Sequence, residues 1–225
     1  MGHRLGSKLP KCLIPINDLP IILITANAFQ LNSSIKAIVL VVPESAVEQI
    51  QSEATLLGLD KICAVVSGGE RRQDSALNGL NAVPDDIDNI LIHDGARALV
   101  PNSLINRVLT ALELHPVVIP ANTVTDTLHK ENGGFAIDGA ERKGLVAAQT
   151  PQGFRVSLLK ECFEKSIEKN YTVTDEATLI RDISRVNPAI VAGDNNNIKI
   201  TFSEDLEFYM SHLIFQAEEL KEKMD

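Results

Sequence analysis

Ile90-Leu91-Ile92-His93-Asp94-Gly95-Ala96-Arg97 is an apolar run that ends on a carboxylate, a glycine and a guanidinium. A run of that length fits a strand covered on both faces, and its abrupt polar end predicts a loop at the strand's carboxyl end. The same form recurs on either side, in short β-branched runs at residues 35–42, 62–66, 117–120 and 189–192. Amphipathic stretches at residues 44–57, 74–82 and 103–114 lie between them, and Ser103 is placed to cap the third. Such alternation predicts right-handed crossovers and an α/β fold, with a mostly parallel sheet flanked by helices.

Residues 122–148 break the rhythm. Gly133, Gly134, Gly139 and Gly144 stand there among polar residues, which predicts a hairpin-like β-arm protruding from the core. Residues 203–223 return to helical spacing through Leu206, Tyr209, Met210, Leu213 and Phe215, as a terminal helix would. With 225 residues, 44% of them hydrophobic, the chain supports one sizeable core, so residues 1–225 are expected to form a single domain.

A net charge of -9 argues against a sequence-independent grip on nucleic acid, which needs clustered Lys and Arg. Any anionic ligand must meet a local group of cations instead. Cys12, Cys63 and Cys162 are widely separated, with neither zinc-site spacing nor a disulfide framework, which fits a reducing cytoplasm. No run of about 18 apolar residues occurs, so neither secretion nor a membrane span is expected.

Ligands of open α/β sheets sit beyond the carboxyl ends of the strands, which directs attention to residues 67–75, 94–97, 122–127 and 195–199. Near the start, His3, Arg4, Lys8 and Lys11 surround Gly2 and Gly6, a composition that can approach and neutralise a polyphosphate, or simply form a solvated basic terminus. Ser67-Gly68-Gly69-Glu70-Arg71-Arg72-Gln73-Asp74-Ser75 follows a strand and enters a helix. Its glycines permit positive φ and expose backbone groups that can read a base edge; a plain turn with a helix cap is the simpler alternative. Asp94 at a strand end suits Mg²⁺ bound to phosphates, or an ordinary loop. His93 lacks a metal-ligand partner and reads as structural.

Further on, Thr125-Asp126-Thr127, Arg142, Gln149-Thr150-Pro151-Gln152-Gly153-Phe154 and Thr174-Asp175-Glu176-Ala177 supply hydroxyls and one bidentate cation, chemistry that suits a phosphate monoester. Each is also compatible with a turn or a cap, Thr174 as a helix start in particular. Asn197-Ile198-Lys199-Ile200-Thr201 sets a Lys in a strand-like run, where it meets either solvent or a ligand anion.

Together these segments resemble the methylerythritol phosphate cytidylyltransferases, also called CDP-methylerythritol synthases, in order from Gly2 to about Leu206. The resemblance implies a Rossmann-like domain and in-line attack of a sugar-alcohol phosphate on the α-phosphorus of CTP, with Mg²⁺ as cofactor and pyrophosphate as leaving group. It implies that Arg4 and Lys11 stabilise the α-phosphate, that Gly2 belongs to the phosphate loop, and that Gly69, Glu70 and Ser75 line the cytosine pocket with Arg72 beside it. Asp94 would stand near the ribose and Mg²⁺, with Arg97 following it in the same motif. Arg142 and Lys199 would position the acceptor, and Thr127, Thr150 and Thr174 would surround its phosphate. The 122–148 arm would build a homodimer and complete the neighbour's acceptor site, in the cytoplasm or, in a plastid-bearing source, in the plastid stroma.

Family members begin with a strand and an Ala-Ala-Gly loop, whereas this chain opens at Met1-Gly2-His3-Arg4, inside the latter part of that loop. A sheet without its first strand is therefore expected, and with it weakened catalysis. Ala98 replaces the family's usual Pro, and Asn196 stands where some members place an Asp, so Asn196 is not counted as a metal ligand. The nearest alternatives are a ribitol 5-phosphate cytidylyltransferase and a catalytically impaired nucleotide-binding relative. The Glu141-Arg142-Lys143-Gly144-Leu145 context and the Thr-Asp-Glu motif favour methylerythritol phosphate.

Overall fold

The structure is a computed structural model describing residues 10–169 and 171–222. A 3-10 turn at Lys11–Leu13 leads into a small ribbon, β1 (Pro15–Ile16) and β2 (Leu19–Pro20). The reversal uses positive φ at Asn17 and Asp18, residue types that tolerate it. Helix α1 (Ile21–Gln30) follows and carries no amphipathic stripe, because Ile21, Ile22, Leu23, Ile24 and Ala26 are all buried. A helix apolar on every side belongs inside a core, and periodicity alone does not reveal it.

β3 (Ile38–Val42) and β4 (Ile62–Ser67) pair in parallel, joined through α2 (Val47–Leu56). α3 (Arg72–Asn81) leads to β5 (Asn89–Ile92), and α4 (Asn102–Leu112) to β6 (Val117–Thr123). The arm contains β7 (Leu128–Asn132) and β8 (Phe135–Ala140), and β9 (Val146–Ala148) returns along β6. β10 (Gln152–Arg155), α5 (Val156–Glu168), α6 (Glu176–Ser184), β11 (Ala189–Ala192) and α7 (Ser203–Lys221) complete the order.

The main sheet runs β11-β6-β10-β5, with β9 on the far end of β6. β11 is parallel to β6, while β10 is antiparallel to both β6 and β5, which makes the sheet mixed. β10 shows no apolar alternation, since Gln152 and Gly153 are both buried beside Phe154. Gly153 is a packing requirement: a Cβ there would lie 2.7 Å from Leu112 Cδ1 and 2.9 Å from Val108 Cγ1, so α4 rests directly on the strand. Phe154 then joins Phe163, Leu159 and Ile180 in the core under α5 and α6.

Two local expectations are corrected. α4 starts at Asn102 with Pro101 at its cap position and no side-chain cap, so Ser103 lies inside the first turn. α6 is capped by Asp175, whose Oδ1 accepts the Thr178 N–H at 2.8 Å, and not by Thr174.

Among the described residues, β3 pairs only with β4, and β5 only with β10. Between them lies a cavity of about 470 Å³, lined by Ile38, Leu40 and Val41 on one side, Ile90 and Ile92 on the other, and Phe29 across the end. Its walls are apolar, and among the described residues β3 and β5 each turn an edge without a ladder partner toward it. Where the two halves meet, they do so through side chains, as Ile38 and Leu91 do around Phe29, Leu104 and Ile105.

The β7–β8 hairpin turns at Gly133-Gly134 and is solvent-exposed along almost its whole length. Phe135 and Ile137 are 74% and 60% exposed on it, with Leu145 and Val146 exposed further along the arm.

Candidate active site

The polar ends of β5 and β11 and the start of β10 converge at one end of the main sheet, and the loop after β4 leads into α3, whose Arg72 reaches Glu176. The loop after β4 is set by tight contacts. Gly68 N–H donates to Val42 O at 2.8 Å, and Gly69 N–H donates to Ser75 Oγ at 3.0 Å. Neither glycine has positive φ among the described residues, contrary to the expectation from sequence. Gly69 is needed for close approach instead, because a Cβ on it would lie 2.4 Å from Asp74 Cβ. Asp74 accepts the Arg71 N–H at 3.1 Å and pairs with its guanidinium at 2.6 Å, fixing the entry to α3. Glu70 is exposed on this loop.

Arg72, on the first turn of α3, bonds Glu176 Oε1 at 2.7 Å and so joins the starts of α3 and α6. Burial opposes the Arg72 charge, but Glu176 outweighs it and the pKa rises. Glu176 is 2% exposed, and its Oε2 and the nearby Gln152 Oε1 are buried without a hydrogen-bond partner. Gln152 Nε2 donates to Asp175 Oδ2 at 3.1 Å.

Asp94 stands at the centre of the cations. Its Oδ2 lies 3.0 Å from Lys199 Nζ and 3.3 Å from Arg97 Nε. Burial pushes its pKa up, yet Lys199 and Arg97 outweigh burial and hold the carboxyl below its ordinary value, so Asp94 is ionised at neutral pH. The loop is anchored from beneath by Thr25 of α1, which donates to Gly95 O at 3.1 Å. Ile200 N–H donates to Ala96 O at 3.0 Å, and Lys11 Nζ donates to Thr201 O at 2.7 Å. Asp94, Arg97 and the sequence-distant Lys199 thus share one site, and Lys11 is tied to the segment that carries Lys199.

Thr150 closes the site from the β10 side, accepting the Asp94 N–H at 3.1 Å through Oγ1. His93, read from sequence as structural, contacts that hydroxyl at 3.0 Å and packs its ring 5.0 Å from Phe29. Burial is the main reason its pKa falls to about 4, so the imidazole is neutral. Asn197 is fully buried and donates to Thr150 O at 2.7 Å. No motif reading singled out His93, Asn197 or Glu176 for a role; their only sequence signal is a polar side chain bordering an apolar run.

Arg142 and Thr127 lie elsewhere in this chain. Arg142 donates to Thr125 O and lines a shallow pocket of about 420 Å³ with Thr123, Lys143 and Leu145, none of which belongs to the Asp94 group. Thr127 and Thr174 are exposed, the latter with its carbonyl near Arg72. Gly2 and Arg4 fall outside the described residues. A glycine loop, an ionised aspartate and several cations at the strand ends of an α/β sheet define a nucleotidyltransferase-like site.

The family model of 2-C-methyl-D-erythritol 4-phosphate cytidylyltransferase (IspD) matches residues 1–213, and the chain belongs to that family. It is 36% identical over 215 residues to the 2-C-methyl-D-erythritol 4-phosphate cytidylyltransferase of Bacillus thuringiensis, covering 96% of this chain and 94% of that one. It is 39% identical over 205 residues to the bifunctional enzyme IspD/IspF of Desulfotalea psychrophila, covering 91% of this chain and 52%, about half, of that longer protein. The crystal structure of the cytidylyltransferase from Anaerococcus prevotii superimposes with a TM-score of 0.79 at 27% identity, covering 93% of this chain and 92% of that one. The Thermus thermophilus enzyme gives 0.77 at 27% identity, covering 91% and 93%.

Proposed function

We infer that this chain transfers the cytidylyl group of CTP to 2-C-methyl-D-erythritol 4-phosphate, forming CDP-methylerythritol and pyrophosphate. The observation that carries this reading is the meeting of Arg97 and Lys199 on ionised Asp94, with Lys11 bonded to the neighbouring Thr201, in a member of this family.

The acceptor phosphate oxygen attacks the α-phosphorus in line as pyrophosphate departs, without a covalent enzyme intermediate. Both reactants are anions, so the protein's main contributions are alignment and charge compensation. Lys11 and, on the acceptor side, Lys199 are the cations assigned to that compensation, and Arg4 joins them by family resemblance. Gly69, Glu70 and Ser75 receive the cytosine, whose base edge meets fixed backbone groups of the loop. Arg72 holds the neighbouring helix starts together. Thr150 and Thr174 offer neutral donors to the acceptor phosphate.

Mg²⁺ fits this donor set in a limited way. No group of three His, Cys, Asp or Glu able to hold a metal occurs among the described residues, and Asp94 is the single carboxylate at the centre. Mg²⁺ commonly binds through one carboxylate plus substrate phosphates, so Asp94 would hold it and the nucleotide would complete its shell. When bound, it would neutralise phosphate charge and ease pyrophosphate departure.

The arm is assigned to a homodimer interface. Exposed Phe135, Ile137, Leu145 and Val146 on a hairpin too thin to bury them support this, and Arg142 and Thr127 at its base would then reach the neighbouring acceptor site. A reducing cytoplasmic setting accords with free Cys12, Cys63 and Cys162; no helix among the described residues is long and apolar enough to cross a membrane.

The test is pyrophosphate release with CTP and either methylerythritol phosphate or ribitol 5-phosphate. Turnover with the first and little with the second is expected. Preference for ribitol phosphate, or release with neither, overturns the reading.

A further inference from the structure

Four hydrogen bonds around Asp94 form a closed ring with one direction. His93 Nε2 lies 3.2 Å from Arg97 O; a carbonyl can only accept, so Nε2 carries the proton. Arg97 Nη1 donates to Asn197 O at 2.7 Å, and Asn197 Nδ2 donates to Thr150 O at 2.7 Å. With the proton on Nε2, Nδ1 is the ring's acceptor, and the Thr150 hydroxyl, 3.0 Å away and taking the Asp94 N–H on its oxygen, donates its hydrogen to it. Every member gives one bond from its side chain to the next, and Arg97, Asn197 and Thr150 each take one on the backbone carbonyl, so the side chains of His93, Arg97 and Asn197 each fix the backbone of the following member.

The ring threads three separate loops: the one after β5, the one before β10 and the one after β11. Asp94 hangs from it, since its N–H donates to the Thr150 hydroxyl oxygen at 3.1 Å. Lys199 follows Asn197 by two residues and reaches Asp94 at 3.0 Å. We propose that His93 and Asn197 are positioning residues of the transfer reaction, holding Asp94, Thr150 and Lys199 in register through this ring without touching either substrate. The proposal rests on the function inferred above.

Both residues are suited to that task and to little else. Asn197 is 0% exposed, and His93 faces Phe29 on one side and the ring on the other. A ring of this kind has one consequence that simple packing lacks: breaking it at either point removes the same positioning, so the second break adds little.

Nitrogen-15 NMR of the full chain reads the ring directly. His93, assigned by loss of its signals in His93→Gln, is expected as the neutral Nε2–H form, and Thr150→Val should shift its Nδ1 resonance. An Nδ1–H form, or averaging between the two forms, overturns the proposal. In kinetics, His93→Phe and Asn197→Leu are each expected to lower kcat about tenfold or more, as misplacement of reacting groups does. KM for CTP should stay within about twofold, the sign that ground-state binding is spared. The double variant should be no worse than the poorer single one, and losses that multiply overturn the proposal. Should the apolar variants fail to fold, Asn197→Asp keeps the shape and removes the donor, so parent-like kcat in it is equally decisive against the ring. Absence of turnover in the parent would sink the assigned reaction, while the NMR result still decides the ring.

Discussion

Lys199 Nζ and Asp94 Oδ2 stand 3.0 Å apart across two loops that are 105 positions apart in sequence, and Arg97 approaches the same oxygen. Asp94 is thus compensated by two cations from different loops. Lys199→Ala is therefore expected to reduce transfer strongly while leaving CTP affinity comparatively intact, because Arg97 still compensates Asp94. Loss of one charge-assisted contact typically costs about 1.5–3 kcal/mol. Steady-state rates with calorimetric CTP titration check this, and near-parent turnover would remove Lys199 from the acceptor side.

His93 gives the fold a defined response to acid. Its pKa falls from 6.5 in the unfolded chain to about 4 in the folded one. Between those values the unfolded chain binds a proton that the folded chain refuses, so stability is full above the higher value and declines as pH falls toward the lower. At about 1.4 kcal/mol per unit the loss amounts to about 3 kcal/mol. Denaturant titrations from pH 7 to 4 should show this decline in the parent and a shallower one in His93→Phe. Parallel slopes would mean that His93 is solvated.

Gly69 leaves no room for a side chain against Asp74. Gly69→Ala should push the loop off the start of α3, costing about 1–3 kcal/mol as overpacking does, and should weaken CTP binding more than acceptor binding. Unchanged melting and CTP affinity in this variant would show that the loop yields freely.

The arm makes the division of labour between subunits testable. Arg142→Ala and Lys11→Ala chains, each impaired alone, are expected to regain activity when mixed and allowed to exchange. With two-fold symmetry and random pairing the recovery should approach roughly a quarter of the parent. A mixture as inactive as its components would place both residues in one subunit's site.

The sequence conveyed the strands best where β-branched residues cluster, as at Ile38–Val42 and Ala189–Ala192. It concealed α1, whose uniform apolarity erases the helical stripe, and β10, whose Gln152 and Gly153 are buried for reasons of partnership and space that no local pattern expresses. In the site, Asp94, Arg97 and Lys199 were legible as chemistry borne on strand ends. Their mutual distances were not, since those depend on which loops the sheet order brings together. Gly69 does not use the positive φ that its loop composition suggests: its constraint is the nearness of Asp74, a contact that emerges only once α3 is folded. His93 has no metal-ligand spacing in the sequence to mark it, and its partners are a carbonyl and a hydroxyl.

The lack of a ladder between β3 and β5 among the described residues has a bearing on how the molecule comes apart. Among the described residues, no backbone ladder crosses that line, so the β3–β4 layer with α1, α2 and α7 is joined to the rest chiefly by side-chain contact. Structures divided in this way open as separate cooperative units rather than all at once. Amide hydrogens of β3 and β4 should accordingly exchange with deuterium sooner than those of β6 and β10, giving one molecule two distinct levels of protection. The Asp94 loop descends from the slower half and is anchored by Thr25 from the faster one, so the first unit to loosen would take away the support beneath Gly95 while most of the sheet still stands.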